Sequence, residues 1–379
     1  MRTHRFSLRG TLALGLTLVA GCLPFGPGGN GNGGGGDGQQ AKDIAQWDSL
    51  VAQYDARRSP FLDNHVQDLA PVGNTLYWYN TSNFQFALRR YDDTTGAKVS
   101  YGFAVGDNNT AFYRASSTVV VTVEGGTDPV VYHAWDASQP KKELANTTSP
   151  KPAGASYNAF SVDGGAVYIL DTSVPGTSAL MKWVPGQPQT RVTTLEAAGV
   201  QVGEFMDFGV DGNTMIFVES GRIWKLDLAA NKATWLMNKT EVHGRVDFRA
   251  DGVMFESASG IMFFDYATGG LVNLTAKINA NPYQVNATYS SSSHYSNDFS
   301  RWKNYMLYIG GGGLFAYNWT ADTITPILLS PHTGNDRTDY RYPVALDDGT
   351  AFVTGLMSAS GSTGADGPTF KLDLKPILR

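Results

Sequence analysis

Cysteine and charge are the scarce components of this chain. Cys22 is the only cysteine among 379 residues, which excludes an intrachain disulfide and any metal site built from several cysteines. Charged residues make up 17% of the chain and the formal net charge is −5, so the balance is acidic and argues against nucleic-acid binding. The chain also lacks the Gly-x-Ser-x-Gly, His-Glu-x-x-His and phosphate-loop patterns of common hydrolases, metalloproteases and nucleotide-binding proteins.

Residues 1–21 are predicted to be a targeting segment. Arginines precede an apolar run, Thr11 to Ala20, which is too short to span a bilayer and fits the core of a signal peptide. Leu18-Val-Ala-Gly-Cys22 resembles the lipobox of bacterial lipoproteins. The resemblance implies that Cys22 is diacylated at its sulfur and becomes the new N-terminus. Because Leu23 rather than Asp follows, it also implies an outer-membrane or cell-surface location. The alternative is an ordinary signal peptide followed by a chance cysteine.

Two segments lie between this cysteine and the repeats. Residues 22–42 are rich in glycine, and a flexible coil of about 20 residues spans roughly 25 Å, so the segment is predicted to be a tether. Residues 43–60 are predicted to form an amphipathic helix, because apolar residues recur every three or four positions until Ser59-Pro60. These apolar residues are Ile44, Trp47, Leu50, Val51 and Tyr54. Their face is expected to pack against the body, with partner binding as the alternative.

From residue 61 onward the chain repeats one pattern seven times. The clearest copy runs from Phe208 to Asp227, where turns at Asp211-Gly212 and Ser220-Gly221 separate three apolar runs. A fourth run follows at Lys232. The third run of each copy is an apolar or aromatic segment, beginning at Leu88, Tyr132, Leu180, Ile223, Ile261, Leu314 and Thr369.

These third runs recur at the interval that one four-stranded propeller blade occupies in a sequence. The sequence therefore predicts an all-β fold, a seven-bladed β-propeller with four-stranded blades over residues 61–379. Lys375 to Arg379 is expected to be the fourth strand of the last blade. Whether the segment around Leu62 also pairs there is left open.

Two short motifs within the repeats are similar to known propeller families. Phe-x-x-Asp-Gly, which begins at Phe160, Phe208 and Phe248, resembles the repeats of TolB-like periplasmic propellers. Asp-x-x-Thr-Gly, which begins at Asp92 and Asp265, together with the lipobox resembles BamB-like lipoproteins and other quinoprotein-like propellers. The resemblance implies a bacterial β-propeller lipoprotein. The tryptophan that docks blades in quinoprotein dehydrogenases is missing after the Asp-x-x-Thr-Gly turns, which argues against a quinone cofactor.

Four aspartates recur near the start of the predicted innermost strands. Asp68, Asp207, Asp247 and Asp298 each precede an apolar residue and are expected at equivalent positions, at one mouth of the central channel. Like charges held close together raise pKa values or attract a cation such as Ca²⁺. The alternatives are a structural role, in which each carboxylate bonds the adjacent blade, and catalysis. No other cofactor is expected.

Long connections and histidines supply the remaining candidates. Four histidines, His65, His243, His294 and His332, fall in connections that enter a blade, whereas His133 lies in mid-strand. The long insert from Tyr283 to Asn297 also carries Tyr289 and Tyr295, whose rings and hydroxyls suit a sugar or a peptide. Loops that are merely solvated are the alternative.

The function predicted first is a non-enzymatic scaffold. A lipid-anchored propeller at the outer membrane or cell surface is expected to hold a protein partner on its loops, because no catalytic constellation is evident in the sequence. The second prediction is a propeller that binds carbohydrate, a small ligand or calcium at the channel mouth. A propeller hydrolase or lyase is the third.

Overall fold

The computed structural model describes residues 49, 51–62, 66–80, 87–100, 112–124, 127–139, 142–153, 155, 158–201, 205–237, 242, 246–249, 251–280, 299–310, 313–329, 337–358 and 365–378. This part of the chain forms seven antiparallel sheets of four strands each, which confirms the predicted seven-bladed propeller. No helix within it is long and apolar enough to cross a membrane.

The blades are numbered in chain order. Blade 1 contains β2 (Val66–Val72), β3 (Thr75–Asn80), β4 (Ala87–Asp92) and β5 (Ala97–Ser100). Blade 2 contains β6 (Phe112–Ala115), β7 (Val119–Glu124), β8 (Val130–Asp136) and β9 (Glu143–Ser149). Blade 3 contains β10 (Phe160–Asp163), β11 (Ala166–Asp171), β12 (Ala179–Trp183) and β13 (Thr190–Thr194). Blade 4 contains β14 (Phe205–Asp211), β15 (Thr214–Glu219), β16 (Arg222–Asp227) and β17 (Lys232–Met237). Blade 5 contains β18 (Val246–Phe248), β19 (Gly252–Ser257), β20 (Gly260–Asp265) and β21 (Leu271–Asn273).

Blades 6 and 7 complete the ring. Blade 6 contains β22 (Phe299–Trp302), β23 (Tyr305–Gly310), β24 (Gly313–Asn318) and β25 (Thr323–Leu329), and blade 7 contains β26 (Arg337–Ala345), β27 (Thr350–Ser358), β28 (Ala365–Asp373) and β1 (Arg58–Leu62). Two helical segments flank the strands: α1 covers residues 51–55 and α2 covers Leu274–Ala280.

The ring has two unlike ends. The turn face carries the connections between first and second strands and between third and fourth strands. The loop face carries the connections between second and third strands and those from blade to blade. First strands of successive blades lie beside one another, so they are the inner strands that surround the axis.

Aspartates shape the turns between third and fourth strands, as the Asp-x-x-Thr-Gly motif predicts. The Oδ1 of Asp265 accepts hydrogen bonds from the amides of Ala267 at 2.9 Å and Thr268 at 2.8 Å, and Gly269 then adopts a φ of 66°. The same bonds to two following amides occur at Asp92, Asp136, Asp227 and Asn318. A polar residue at this step therefore ends the third strand by satisfying local amides.

Hydrophobic clusters fill the spaces between blades. Seven clusters of buried side chains are present in the described part of the chain, and each joins two adjacent blades. The cluster between blades 7 and 1 contains Trp78 of blade 1, Phe352 of blade 7 and Phe61 of β1. Since apolar burial is the main stabilising contribution, the blades hold one another in place.

The N-terminal segment closes the ring, which answers the question that the sequence leaves open. Strand β1 pairs antiparallel with β28, with Pro60 opposite Phe370. Proline is accommodated here because β1 is the outermost strand of its sheet. The predicted fourth strand at Lys375 to Arg379 is wrong: the carbonyl of Leu374 accepts the amides of Ile377 and Leu378, which makes a turn.

The helix before β1 is shorter than the sequence predicts. Helical residues end at position 55, and residues 58–60 already belong to β1. Val51 and Tyr54 are buried in the cluster between blades 5 and 6, together with residues of α2. The described part of the predicted apolar face, Val51 and Tyr54, therefore packs against the body.

Candidate functional site

Asp68 and Asp207 both lie in the half of the inner strand that is remote from the turn, Asp68 within a bulge of β2 and Asp207 opposite Val218. Each is four residues before the last residue of its inner strand, Val72 in β2 and Asp211 in β14, and each of those residues closes the turn onto the second strand. Both positions are therefore toward the loop face. The side chain of Asp68 and all of Asp298 lie outside the described residues.

Asp247 is not at an equivalent position. Arg249 closes the turn of blade 5, since its amide donates to the carbonyl of Gly252 at 3.0 Å. Asp247 is two residues before Arg249 and therefore at the level of Gly209 in blade 4. The prediction aligned the two Asp-Gly pairs, but in blade 5 the glycine already belongs to the second strand. The motif is shifted by two residues relative to the strands.

Asp207 pairs with an arginine from a blade that is not its neighbour. The Nη2 atom of Arg114 in blade 2 lies 3.3 Å from the Oδ2 atom of Asp207 in blade 4. The guanidinium carbon of Arg114 lies 5.8 Å from the ring centroid of Phe160, the first residue of the inner strand of blade 3. Ala159 occupies the level of Asp207 in that blade, four residues before Asp163. The arginine therefore spans blade 3 beside the axis.

The protonation equilibrium of Asp207 is shifted by its surroundings. Burial raises the pKa of this carboxyl above its usual range, although Arg114 and the amide of Phe208, which donates to Oδ1 at 2.8 Å, act in the opposite direction. Part of the side chain, 29%, is exposed. Asp207 is thus an accessible carboxyl that takes up a proton more readily than an ordinary aspartate does.

Asp247 belongs to a second ion pair, closer to the turn face. The Nε and Nη2 atoms of Arg249 donate to its two carboxylate oxygens at 2.9 and 3.3 Å. Asp247 raises the pKa of Arg249, and Asp347 and Asp251 act in the same direction. Because both oxygens are occupied by one guanidinium, the charge of Asp247 is neutralised locally.

These pairings weaken the support for a calcium site. Asp207 and Asp247, whose side chains are described, each face an arginine rather than each other. Within the described residues, no three His, Cys, Asp or Glu side chains are placed to hold a metal ion together. Calcium binding stays a prediction, since it also involves Asp68 and Asp298.

The other sequence candidates are mostly outside the described residues. Cys22, His65, His243, Tyr283, Tyr289, His294, Tyr295 and His332 all lie there. His133 lies in mid-strand on β8, with Nδ1 2.8 Å from the carboxylate of Glu143 and Nε2 3.3 Å from that of Glu124.

The turn face is occupied by bonds between blades. The carboxylate of Asp163 in blade 3 accepts the amide of Gly212 in blade 4 at 3.0 Å, and the carboxylate of Asp251 in blade 5 binds both terminal nitrogens of Arg301 in blade 6. Three more junctions carry such bonds. Between blades 2 and 3, the hydroxyls of Ser116 and Thr118 donate to the carbonyl of Gly164. Between blades 6 and 7, the indole N–H of Trp302 donates to the carbonyl of Asp347, and between blades 7 and 1 the amide of Asp347 donates to the carbonyl of Gly73. At these five junctions, polar groups of the turn face therefore bond one blade to the next.

Sequence reasoning missed the arginines of the inner strands. Arg114 and Arg249 lie in or next to strands that are otherwise apolar or acidic, and each neutralises one predicted carboxylate. A basic residue within an inner-strand pattern was the available signal. The sequence does not identify the partner of Arg114, because Arg114 and Asp207 belong to different repeats.

Comparison with known proteins gives the fold and no family. No protein-family model matches the chain. No curated protein matches it either. A solved structure of an oligogalacturonate lyase in complex with manganese is similar, with a TM-score of 0.51 and 10% identity over 84% of this chain and 91% of that one.

Two further solved structures are more distant. A prolyl endopeptidase structure gives a TM-score of 0.49 at 12% identity, over 89% of this chain and 55% of that chain. BamB from Moraxella catarrhalis gives 0.42 at 13% identity, over 83% and 99%. A likeness to solved structures at this level of identity shows the fold alone, and the fold does not decide the function.

Proposed function

We propose that this chain is a non-enzymatic, lipid-anchored β-propeller that binds a protein partner through its loop face at the outer membrane or cell surface. The observation that carries the proposal is the contrast between the two faces. On the turn face, described polar groups bond one blade to the next, whereas the strand ends that face the loop side are separated by the longest stretches of sequence.

The lengths of the connections make this contrast concrete. On the turn face, only positions 73–74 join the first and second strands of blade 1, and only positions 212–213 join those of blade 4. The stretches from blade to blade are longer in sequence: positions 101–111 separate β5 from β6, and positions 281–298 separate α2 from β22. Long connections on a rigid scaffold are where recognition sites are found, and a stable protein interface needs about 800 Å² from each partner.

The described part of the N-terminal segment lies at the outer edge of the ring. Strand β1 is the outermost strand of blade 7, and the Nη1 atom of Arg57 donates to the carbonyl of Pro326 on the outer strand of blade 6 at 3.1 Å. The described part of the entering chain therefore lies along the rim.

Capture of a partner from intact membranes tests this proposal. The full acylated chain would be cross-linked in place and recovered, alongside a loop-face variant, Tyr289→Ala with Tyr295→Ala. The matched control is a turn-face variant, Lys232→Ala with Thr320→Ala, at two exposed positions. We expect one stoichiometric partner with the wild type and the turn-face variant, and its loss with the loop-face variant.

Two results would contradict the scaffold proposal. One is recovery of no partner from membranes that contain the wild-type protein. The other is equal loss with the loop-face and turn-face variants. A Cys22→Ala form separates the anchor from the binding face: it should lose membrane association and keep the partner in a soluble reconstitution.

A channel ligand is the second candidate, favoured by one observation. Arg114 has 46% of its side chain exposed and lies against Asp207, a carboxyl of raised pKa, near the loop-face mouth. An exposed guanidinium next to such a carboxyl can hold a polar ligand. If this candidate is right, Arg114→Gln will abolish the thermal stabilisation by a glycan-array hit, and the partner capture will be unaffected.

A further inference from the structure

We propose that the outer edge of blade 4 carries a binding site for an acidic saccharide, formed by Trp235 and Arg222. This site lies on the outer rim of blade 4, where Arg222 begins β16 at the loop-face end of the strand, and it is separate from the axis. Saccharide binding there would be a function in addition to the scaffold role.

Trp235 is the largest exposed apolar side chain of the described residues. It lies on β17, the outermost strand of its blade, and 51% of its surface is exposed. A bulge in the pairing with β16 makes Leu236 an extra residue, because Ile223 is opposite Met237 while Trp224 is opposite Trp235. Bulges redirect side chains and are common beside binding sites. Here the bulge follows directly on the exposed indole.

The indole is held from behind by a fixed aromatic stack. Trp224 contacts Trp235 edge to face, with ring centroids 5.0 Å apart, and is itself parallel to the buried ring of Phe217 at 6.1 Å. Trp224 is 8% exposed, and its Nε1 atom is buried without a hydrogen-bond partner among the described residues.

Arg222 supplies a positive charge beside the ring. Its guanidinium carbon lies 5.5 Å from the ring centroid of Trp235. Arg114, Arg249 and Arg301 each pair with an aspartate, whereas Arg222 makes no ion pair with any described residue. In a chain of net charge −5, a guanidinium that has no carboxylate partner among the described residues and lies against an exposed indole favours an anionic ligand.

The backbone next to Trp235 argues for a saccharide rather than an added peptide strand. The amide of Ala233 on the outer edge of β17 already donates to the carbonyl of Ala198 at 3.1 Å. An incoming strand would need that edge free. The ligand is therefore recognised by side chains. The exposed indole face of Trp235 can stack on the C–H face of a sugar ring, and the guanidinium of Arg222 can bind a carboxylate of that sugar.

Affinity electrophoresis of the full chain in detergent tests the site. The probes are alginate, a polyuronate, and dextran, a neutral glucan of similar length. We expect retardation by alginate and much less by dextran. Trp235→Ala and Arg222→Gln should each weaken alginate binding about tenfold, the scale of one aromatic contact or one charge-assisted hydrogen bond. Trp235→Phe should retain part of the binding.

Val174→Ala is the matched control, because Val174 is an apolar residue that is 60% exposed and far from Trp235 in the chain. It should bind alginate as the wild type does. The proposal is overturned if the wild type does not bind alginate, or if Trp235→Ala binds as well as Val174→Ala. It is also overturned if polyglutamate displaces alginate at equal charge concentration, since the site would then recognise charge or an acidic peptide instead.

Discussion

Replacing Asp93 by Asn should weaken the junction that closes the ring. Asp93 follows β4 in blade 1, and its carboxylate accepts hydrogen bonds from the ammonium of Lys371 in blade 7, from the hydroxyl of Thr350 at 2.6 Å and from the hydroxyl of Tyr91 at 2.7 Å. The side chain is only 11% exposed. Blades 7 and 1 are thus joined by a cluster around one carboxylate, next to β1.

The magnitude follows from the pKa of this carboxyl. Burial favours its protonated form, but the bonds from Lys371, Thr350 and Tyr91 outweigh burial and lower the pKa of Asp93 from 3.8 to about 2. At 1.36 kcal/mol per pKa unit, the ionised group stabilises the folded state by roughly 2 kcal/mol at neutral pH. Since the folded-state pKa is the lower one, this stability is fully present above about pH 4 and is lost as the pH falls through about 2.

Urea unfolding followed by tryptophan fluorescence measures the effect. Asp93→Asn should lower the free energy of unfolding by roughly 2 kcal/mol at pH 7, and the difference from wild type should shrink as the pH approaches 2. Asp227→Asn is the control, because an Asn Oδ1 can still accept the amides of Ala229 and Ala230 that Asp227 accepts at 2.9 Å. The reasoning fails if Asp93→Asn costs less than about 0.5 kcal/mol at pH 7, or if its cost is the same at pH 7 and pH 2.5.

Three further changes probe other parts of the ring, each by urea unfolding or gel filtration. Arg301→Lys should lower the free energy of unfolding by about 2 kcal/mol, because a lysine cannot bond Asp251 through two nitrogens and cannot fill the space between Phe263 and Trp319. The centroids of those two rings lie 4.9 and 5.1 Å from the guanidinium, and an unchanged urea midpoint would contradict the expectation. Gly313→Ala should lower the free energy of unfolding more than Gly73→Ala does. A Cβ on Gly313 would collide with the carbonyl oxygen of Leu328, whereas a Cβ on Gly73 meets open space. Equal losses of stability would refute the steric argument. Deletion of residues 49–62 should expose the edge of β28 and remove Phe61 from its cluster, giving a less stable chain that self-associates; a stable monomer would show that β1 is dispensable.

The repeat could be predicted from sequence because its determinants are local. The turn at Asp265 needs only the next four residues, and the pairing of β15 with β16 needs only the turn at Ser220-Gly221. Strand β1 has no such signal. Pro60 lies opposite Phe370, which belongs to the last strand of the chain, and nothing in the local sequence identifies that pairing.

The irregularities of the repeat mark the places where blades interact at a distance. Blade 3 has Ala159 where blade 4 has Asp207, a difference that the sequence shows only as a lost carboxylate. In the structure, the small side chain lies at the level where Arg114 crosses from blade 2 over Phe160 to Asp207. A long side chain in that position would compete for the same space, and a carboxylate there would take the guanidinium for itself. The missing carboxylate in blade 3 is therefore what allows one ion pair to tie blades 2 and 4 together across the blade between them.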